Sequence, residues 1–261
     1  NVRNSASVEA AVRDSDIVIN LVGILFERSC QRFDTVQTFG AEQIALAAAA
    51  HGASMIHVSA LGADENSPSS YARSKAMGEK AVLAARPAAV IVRPSTMFGP
   101  EDTFFNRIAA LARMASVLPL IGGGHTRFQP VFVGDVAQAI VTALSRQDGR
   151  AYELGGPTVY SFKQLLQLIL RETGRRRALI PLPFALASLK AAFLQLLPNP
   201  LLTLDQVRLL KKDNVVSPAA AGLADLGITP TSVEAVIPTY LWRFRAKGEY
   251  ADAVAKVVPK P

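Results

Sequence analysis

The sequence predicts an α/β protein built on a doubly wound parallel sheet, and three observations support this fold class. Short apolar runs alternate with helix-length segments through the first half of the 261-residue chain. Residues 16–23, Asp-Ile-Val-Ile-Asn-Leu-Val-Gly, form an almost uninterrupted apolar run, which is typical of a parallel strand covered on both faces. Glycine and proline stand where several of these segments end. A β-α-β-α-β order with right-handed crossovers places helices on both sides of one sheet.

Each element of the first half follows from its apolar pattern and its turn residues. The predicted strands are residues 16–23, 55–59, 89–93 and 131–133. The predicted helices are residues 34–50, 70–85, about 103–117, and a segment that Asp135 caps and that runs to Ser145. His51-Gly52 ends the first helix, and Pro94 closes the third strand. The triple glycine at 122–124 follows a helix rather than a strand, so we predict a loop there.

The pattern changes near Gly155, which divides the chain into two predicted regions. Residues 1–155 form the sheet-containing domain, and residues 156–261 form a smaller, mostly helical region packed against it. Repeated prolines separate the helices of the second region. Three segments match the capping-box pattern of helix starts, namely Ser161-x-x-Gln164, Thr203-x-x-Gln206 and Thr231-x-x-Glu234.

Two segments of the second region are candidates for contact with other molecules. Phe184 to Leu197 is interrupted only by Ser188, Lys190 and Gln195. We favour a helix that covers the substrate side of the sheet there over an element that lies on a membrane surface. Residues 241–245, Leu-Trp-Arg-Phe-Arg, combine tryptophan with arginine, as anchors of protein interfaces do. A buried tryptophan at the end of the domain is the ordinary alternative.

Composition excludes several classes of function. A single cysteine, Cys30, rules out a disulfide framework, and three scattered histidines predict no metal site, so we expect a reducing compartment. The net charge of +7 suits an anionic partner such as a dinucleotide, an acidic protein or a lipid surface. No dense Lys/Arg stripe alternates with aromatic residues, so we expect no nucleic-acid partner. No apolar run reaches the roughly 18 residues of a membrane span, and the first residues do not resemble a signal peptide, which favours a cytoplasmic location.

The most informative motif is Tyr71-Ala-Arg-Ser-Lys75, which begins twelve residues after Ser59. On a helix, a tyrosine and a lysine four residues apart share one face. A nearby ammonium favours the phenolate and lowers the tyrosine pKa from its ordinary value of about 10. Ser59 would lie at the carboxyl end of its strand, where open α/β sheets bind ligands. We therefore predict that Ser59, Tyr71 and Lys75 are catalytic, with the serine bonding a carbonyl and the tyrosine moving the proton.

Two neighbouring ionisable residues are predicted to have structural roles. His57 lies between apolar residues in its strand, so a core histidine is favoured over a catalytic one. Glu79 follows Lys75 by four residues, and an ordinary salt bridge within the helix is the favoured interpretation.

The sequence lacks a glycine-rich dinucleotide loop. Neither G-x-G-x-x-G nor G-x-x-G-x-x-G occurs, although the first strand of a dinucleotide-binding fold leads into such a turn. We therefore expect the sequence to begin near the end of the third strand of such a fold, without roughly 60 preceding residues. This expectation predicts an unpaired hydrophobic strand edge at Ile17 to Val22.

Several segments together resemble the extended or atypical short-chain dehydrogenase/reductases, a superfamily that includes NAD-dependent epimerases and dehydratases. These segments are residues 16–23, residues 56–63, Tyr71-x-x-x-Lys75 and residues 93–100. Within the superfamily, the chain is most similar to the dehydrogenase-like accessory subunits of respiratory complex I and their bacterial relatives. The stretch at 98–106, Phe-Gly-Pro-Glu-Asp-Thr-Phe-Phe-Asn, is the most discriminating. This resemblance implies a firmly bound NADPH with a structural use, and complex I subunits as partners at the inner face of a membrane.

The resemblance also implies roles for individual residues. Tyr71 would be the proton donor or base, Lys75 would bond the nicotinamide ribose, and Ser59 would orient a carbonyl. Asn1-Val2 stands where the family often has Asp-Val near the adenine, so that aspartate is absent. The resemblance implies NADP or NAD as the cofactor. The sequence does not choose between them, because the residue that selects the 2′-phosphate follows the second strand of the fold, which we expect to precede this sequence. The implied cofactor-binding residues are Leu21, Val22, Gly23, Val58, Ser59, Tyr71, Lys75, Pro94, Ser95 and Thr96.

Three functions remain open at the level of sequence. The first is a dinucleotide-binding accessory protein of complex I, peripheral at the bacterial inner membrane or on the matrix side in mitochondria. The second is an active oxidoreductase or epimerase that acts on a carbonyl or sugar-nucleotide substrate through Ser59, Tyr71 and Lys75. The third is a binding module that senses the ratio of NADPH to NADP. The discriminating stretch at 98–106 favours the first.

Overall fold

The computed structural model describes residues 1–246 and 248. The strands are, in chain order, β1 (Ile17–Asn20), β2 (Ser54–Val58), β3 (Val90–Pro94), β4 (Met97–Phe98), β5 (Val117–Ile121), β6 (Arg127–Phe128), β7 (Val131–Phe132), β8 (Ala151–Leu154), β9 (Tyr160–Ser161) and β10 (Ala178–Leu182). The α-helices are α1 (Ser5–Val12), α2 (Gly40–Ala50), α3 (Ser70–Ala85), α4 (Phe104–Met114), α5 (Val133–Ala143), α6 (Phe162–Glu172), α7 (Phe184–Leu194), α8 (Leu204–Leu209), α9 (Val233–Val236) and α10 (Pro238–Leu241). A π-helical turn at Asp34–Phe39 leads into α2.

The central sheet has four parallel strands in the order β1-β2-β3-β8, which confirms the predicted fold class. Within the described residues, β1 pairs only with β2 and forms one edge of the sheet. Ile17 and Ile19 are 43% and 41% exposed there, as expected for the strand edge that the sequence predicts. Each crossover between these parallel strands contains at least one helix.

Successive residues of β3 point to opposite faces of the sheet, as the pleat requires. Ile91 packs into a cluster on one face that includes Met55 and residues of α1, α2 and α3. Val90 and Val92 pack into a cluster on the other face that contains residues of α5 and Tyr152. Both faces are therefore covered, which explains the continuous apolar runs of the strands.

A third core joins the two halves of the chain. Phe98, Phe105 and Leu118 from before residue 155 pack with Leu165 and Ile169 of α6, and all five side chains are buried. This cluster contains residues from both sides of Gly155. The domain boundary predicted there stays a prediction. The second half contributes strands as well as helices, with β10 pairing in parallel with β5.

Several details differ from the sequence prediction. The strand predicted at 131–133 is β7, which pairs with β4 outside the central sheet, and the fourth strand of that sheet, β8, was not predicted. The triple glycine at 122–124 follows β5 rather than a helix, and it forms a 3₁₀ turn. The helix predicted to reach Val117 ends at Met114, and residues 117–121 form β5 instead. Asp135 does not cap α5; its carboxylate accepts hydrogen bonds from the backbone N–H and hydroxyl of Thr231 at 2.7 and 2.9 Å. The predicted capping box at Thr231 is therefore wrong, whereas those at Ser161 and Thr203 are confirmed.

The discriminating stretch at 98–106 contains the start of α4, which Arg243 contacts. Asp102 Oδ1 accepts the backbone N–H of Phe105 at 2.5 Å, which satisfies a free donor of α4. The Arg243 guanidinium donates to Pro100 O at 3.0 Å and to Asn106 Oδ1 at 2.5 Å. Residues 241–245 thus make contacts within the chain, and Leu241 is fully buried.

An ion pair fixes α3 against the sheet. Arg93 of β3 donates to both carboxylate oxygens of Glu79, with Nε–Oε1 at 3.0 Å and Nη2–Oε2 at 2.6 Å. The same guanidinium lies 3.5 Å from a Glu153 oxygen on β8. The Glu79 side chain is only 7% exposed, so this pair is shielded from water. Glu79 was predicted to pair with Lys75, but its hydrogen-bonded partner is Arg93.

Among the described residues, no helix is long and apolar enough to cross a bilayer.

We predict that Arg93→Leu lowers the free energy of unfolding by about 2–3 kcal/mol, because it leaves a buried carboxylate without its partner. Urea denaturation measures this loss. Arg150→Leu is the matched control, since that side chain is 69% exposed and its loss should cost less than about 0.5 kcal/mol. Equal stabilities of the two variants would contradict the role assigned to the ion pair.

Candidate functional site

The candidate site lies where β1, β2 and β3 end. Parallel strands bring their carboxyl ends to one edge of a sheet, so Leu21, Ser59 and Ser95 follow neighbouring strands at the same edge. The loop after β2 continues the pairing of that strand with β3. Ser59 N–H donates to Val92 O at 2.7 Å, and Leu61 N–H donates to Pro94 O at 2.9 Å. The backbone around the site is thereby held rigid.

Ser59 presents a hydroxyl without a partner within the protein. The residue is 4% exposed, and its Oγ makes no hydrogen bond to protein atoms. An unsatisfied buried hydroxyl costs about 1–3 kcal/mol. A ligand carbonyl or hydroxyl at this position would remove that cost, which suits the orienting role predicted for Ser59.

The start of α3 is held by an aspartate from the second half of the chain. Ser69 caps α3 by accepting the N–H of Ala72 at 3.2 Å. The Asp205 carboxylate of α8 accepts the Ser69 hydroxyl at 2.7 Å, the Ser70 N–H at 2.7 Å and the Tyr71 N–H at 3.1 Å. A carboxylate at this end of a helix satisfies free donors and meets the positive end of the helix dipole. Asp205 therefore positions the first turn of α3.

Tyr71 lies in that first turn, with its ring packed edge-on against Phe33. The two ring centroids are 5.8 Å apart and the planes cross at 77°. Burial raises the pKa of Tyr71 to about 12. The predicted lowering of this pKa by Lys75 is therefore not found, because desolvation dominates in the protein alone. The phenol is a proton donor at neutral pH rather than a base.

Lys75 lies one turn further along α3 and is 5% exposed. Its ammonium donates to Val58 O at 3.2 Å, at the end of β2. Burial lowers the pKa of Lys75 to about 8, and the Glu79 carboxylate opposes that shift. The ammonium is thus charged at neutral pH, but its burial costs free energy. An anionic or hydroxyl-rich ligand would reduce that cost.

Gly23 and Gln37 complete the surroundings of the ammonium. A Cβ atom at Gly23 would lie 3.2 Å from Lys75 Nζ and 3.7 Å from Gln37 Oε1, so both polar groups face the glycine. Gln37 is 2% exposed and lies in the π-helical turn before α2, a feature common at functional sites. Its Nε2 donates to Ser74 Oγ at 3.1 Å, whereas its Oε1 has no partner within the protein. Gln37 is not among the predicted site residues, since nothing in its local sequence pattern distinguishes it from a glutamine on a helix surface.

A buried polar pair shapes the turn after β1. Asn20 Nδ2 lies 2.9 Å from His57 Nδ1, and Asn20 Oδ1 accepts the N–H of Val22 at 3.0 Å. Burial, with a smaller contribution from Lys75, lowers the pKa of His57 to about 3, so the imidazole is neutral. Its 1% exposure agrees with the predicted core role. Leu21, Val22 and Gly23 lie exposed beyond this pair.

Asn214 holds the loop after β3 and was also missed. Its Oδ1 accepts the Ser95 hydroxyl at 2.6 Å and the Thr96 N–H at 3.0 Å. Its Nδ2 donates to Leu61 O at 3.4 Å, after β2. One side chain from the second half thus bridges the ends of two strands. Pro94 and Ser95 are buried and Thr96 is half-buried.

Comparison with known proteins identifies the family. The model of the NAD dependent epimerase/dehydratase family matches residues 1–155, more than half of the chain. Over 98% of its length, the chain is also 37% identical to NADH dehydrogenase (ubiquinone) 1 alpha subcomplex subunit 9 of Arabidopsis thaliana, of which it covers 68%. The chain belongs to the NAD-dependent epimerase/dehydratase family. This confirms the superfamily resemblance drawn from the sequence.

Two further proteins match less of the chain or match by fold alone. The ceramide reductase of Caulobacter vibrioides is 38% identical over 52% of this chain and 42% of its own. The UDP-glucose 4-epimerase of Thermus thermophilus, solved with NAD, has a TM-score of 0.68 and 18% identity, and the match covers 94% of this chain and 83% of that chain. The second likeness shows the shared Rossmann-like fold.

The family's cofactor is a nicotinamide dinucleotide, and features of the site fit part of such a group. Ser59 Oγ and Gln37 Oε1 are buried polar atoms without partners within the protein. Gly23 lies close to the Lys75 ammonium, since a Cβ atom there would be only 3.2 Å from Nζ. A ribose, with hydroxyls that both donate and accept, matches the hydrogen-bonding capacity of the Lys75 ammonium and the Gln37 side-chain oxygen.

The structure brings the predicted residues to one edge of the sheet in two groups. Val58, Lys75 and Gly23 meet at the ends of β1 and β2. Pro94, Ser95 and Thr96 follow β3, where Asn214 holds the last two. The catalytic and cofactor-binding roles of these residues stay predictions.

We predict that Asp205→Ala lowers the free energy of unfolding by about 2 kcal/mol, because three donors at the start of α3 lose a charged acceptor. Urea denaturation of the variant gives the value. Asp34→Ala is the control, since its side chain is 74% exposed. A change no larger than that of the control would show that the Asp205 contacts do not hold α3.

We also predict a pH dependence of stability that belongs to Lys75. The pKa of about 8 in the folded protein lies below the ordinary 10.5, so between those values the unfolded chain binds more protons. The contribution of Lys75 to the free energy of unfolding therefore rises with pH, by about 2 kcal/mol from pH 8 to 10. Lys75→Met should remove this rise in urea titrations across that range. Lys80→Met, on the exposed side of α3, should keep it, and a rise unchanged in Lys75→Met would disprove the assignment.

Proposed function

We propose that this protein is a dehydrogenase-like accessory subunit of respiratory complex I that binds a nicotinamide dinucleotide for stability rather than for turnover. The observation that carries the proposal is that identity to the Arabidopsis subunit runs through 98% of the chain. The matched region thus includes the second half of the chain, where Asp205 and Asn214 bond the backbone of the site. The ceramide reductase, in contrast, matches 52% of the chain.

The side chains at the site suit binding. Lys75 would donate to a ribose hydroxyl and Gln37 Oε1 would accept from one, because both polar groups face Gly23. The Ser59 hydroxyl would bond the reactive end of the ligand. Tyr71 keeps its proton at neutral pH, since burial raises its pKa to about 12, so it would donate a hydrogen bond. When bound, the dinucleotide supplies the capacity to carry a hydride.

NADPH is the proposed form of the cofactor, and the proposal rests on the resemblance to the accessory subunits. The proposed partners are complex I subunits, and the proposed location is cytoplasmic and peripheral at a bacterial inner membrane, or the matrix side in a mitochondrion. The excess of positive charge, +7, is compatible with both an anionic cofactor and an anionic surface.

An active reductase or epimerase is the second candidate, and one observation favours it. Ser59, Tyr71 and Lys75 are all present around the end of β2 and the start of α3, and a carbonyl substrate held by Ser59 could take the tyrosine proton. A bound cation near Tyr71 would lower the pKa of its phenol and ease that transfer.

Replacement of Tyr71 by phenylalanine separates the two candidates. It removes one hydroxyl and leaves the ring contact with Phe33 in place. We expect Tyr71→Phe to keep NADPH affinity within about threefold and to co-purify with NADH:ubiquinone oxidoreductase activity as the wild type does. Lys75→Met should weaken NADPH binding by about tenfold or more, because a charged donor is lost.

Fluorescence titration with NADPH and affinity purification from membranes provide the two measurements. Loss of a carbonyl-dependent oxidation of NADPH in Tyr71→Phe, with no respiratory complex in the wild-type preparation, would favour the enzyme. Failure of the wild type to bind either NADPH or NADH would remove both candidates.

A further inference from the structure

The helix α7 is apolar on two opposite sides. Ala187 and Ala191 are fully buried, in a small core with Ile121 and Val207. On the opposite side, Leu186, Leu189 and Phe193 are 51%, 58% and 68% exposed. Their spacing of three and four residues aligns them along one stripe of the helix. A helix that is apolar all round is usually buried, so this stripe is unusual for a surface helix.

The exposed stripe continues into the turn that follows α7. Leu196, Leu197 and Leu201 are 80%, 50% and 56% exposed. The Arg107 guanidinium donates to Pro200 O, which ties this turn to α4. Six large apolar side chains are thus exposed within sixteen residues, whereas single exposed apolar residues elsewhere are ordinary. A contiguous surface of this kind marks an interaction site.

Positive charge is concentrated in the same part of the chain. Residues 184–212 contain four lysines and arginines and one acidic residue, a net charge of +3. Lys190 is exposed on α7 itself. The Lys211 ammonium lies 5.7 Å from the centre of the Phe184 ring at the start of α7. Lys190 therefore borders the apolar stripe, and Lys211 lies at the start of the helix.

Exposed leucines and phenylalanine bordered by lysines match the interface of an anionic bilayer. Apolar side chains enter the boundary between headgroups and acyl chains, and cations remain at the phosphates. With 11 residues, α7 is about 16 Å long, so it could lie along a membrane but not cross one. We propose that α7 and residues 195–201 form a surface that docks the protein on an anionic lipid bilayer.

This proposal reverses the preference drawn from the sequence, where a covering role for the helix was favoured. The buried side of α7 packs on α8 and on Ile121 at the end of β5, and that packing uses small side chains. The large apolar side chains point the other way. The proposal does not depend on complex I, because its partner is lipid.

Flotation of the full chain with lipid vesicles tests the proposal. Vesicles of phosphatidylcholine alone and with 30 mol% phosphatidylglycerol should differ, with about tenfold or stronger binding to the anionic ones at 0.1 M salt and weaker binding at 0.5 M. The double variant Leu189→Gln/Phe193→Gln should lose about tenfold or more in affinity. Lys190→Gln/Lys211→Gln should lose affinity for anionic vesicles only.

Leu46→Gln/Val141→Gln is the matched control, because these side chains are 48% and 64% exposed on α2 and α5. It should float as the wild type does. Circular dichroism and thermal unfolding confirm that each variant is folded. Absence of wild-type flotation, or equal flotation of Leu189→Gln/Phe193→Gln, would overturn the proposal. So would wild-type dimers without vesicle binding that dissociate in this variant, since a second copy would then cover the stripe.

Discussion

The buried ion pair between Glu79 and Arg93 is the interaction on which the arrangement of the site depends. Because the Glu79 carboxylate is shielded, its pairing with the Arg93 guanidinium favours one position of α3 relative to β3. That register places Lys75, one turn before Glu79, over the end of β2, where its ammonium bonds Val58 O. The desolvation of Lys75 is therefore imposed by the docking of α3. Without Arg93, the buried Glu79 carboxylate would need another cationic partner to be stable in this position.

The second half of the chain completes the site rather than merely covering it. Asp205 bonds the first turn of α3, and Asn214 bonds the loops that follow β2 and β3. Both side chains accept hydrogen bonds from backbone N–H groups that strand ends and helix starts leave free. A Rossmann-like half alone would leave these donors to water. The geometry of Tyr71 and Thr96 is thus a joint property of both halves, which is why similarity that spans the whole chain says more about function than similarity to one half.

Local patterns predicted three strands of the central sheet well, but they predicted its fourth strand and the links between the halves poorly. The fourth strand is β8 (Ala151–Leu154), whereas the strand predicted at 131–133 pairs with β4 outside that sheet. The strands at 55–59 and 89–93 and the helix at 70–85 were found within about one residue, because apolar runs and caps are signals within a few residues of each other. Asp135 was misread as a helix cap because its partner, Thr231, lies 96 residues away. The same holds for Asp205 and Asn214, whose partners are distant in sequence. The pKa of Tyr71 was predicted in the wrong direction, since spacing to Lys75 indicates charge but not burial.

The site carries free-energy costs that argue for a ligand with a stabilising role. Ser59 Oγ and Gln37 Oε1 are buried without partners within the protein, and each such group costs about 1–3 kcal/mol. Burial also holds the Lys75 ammonium at a pKa of about 8. A ribose and an amide that satisfied these groups would recover part of those costs only in the folded state, so binding would raise the free energy of unfolding by mass action. A protein arranged in this way would gain stability from its ligand, as the proposed structural role of the dinucleotide requires.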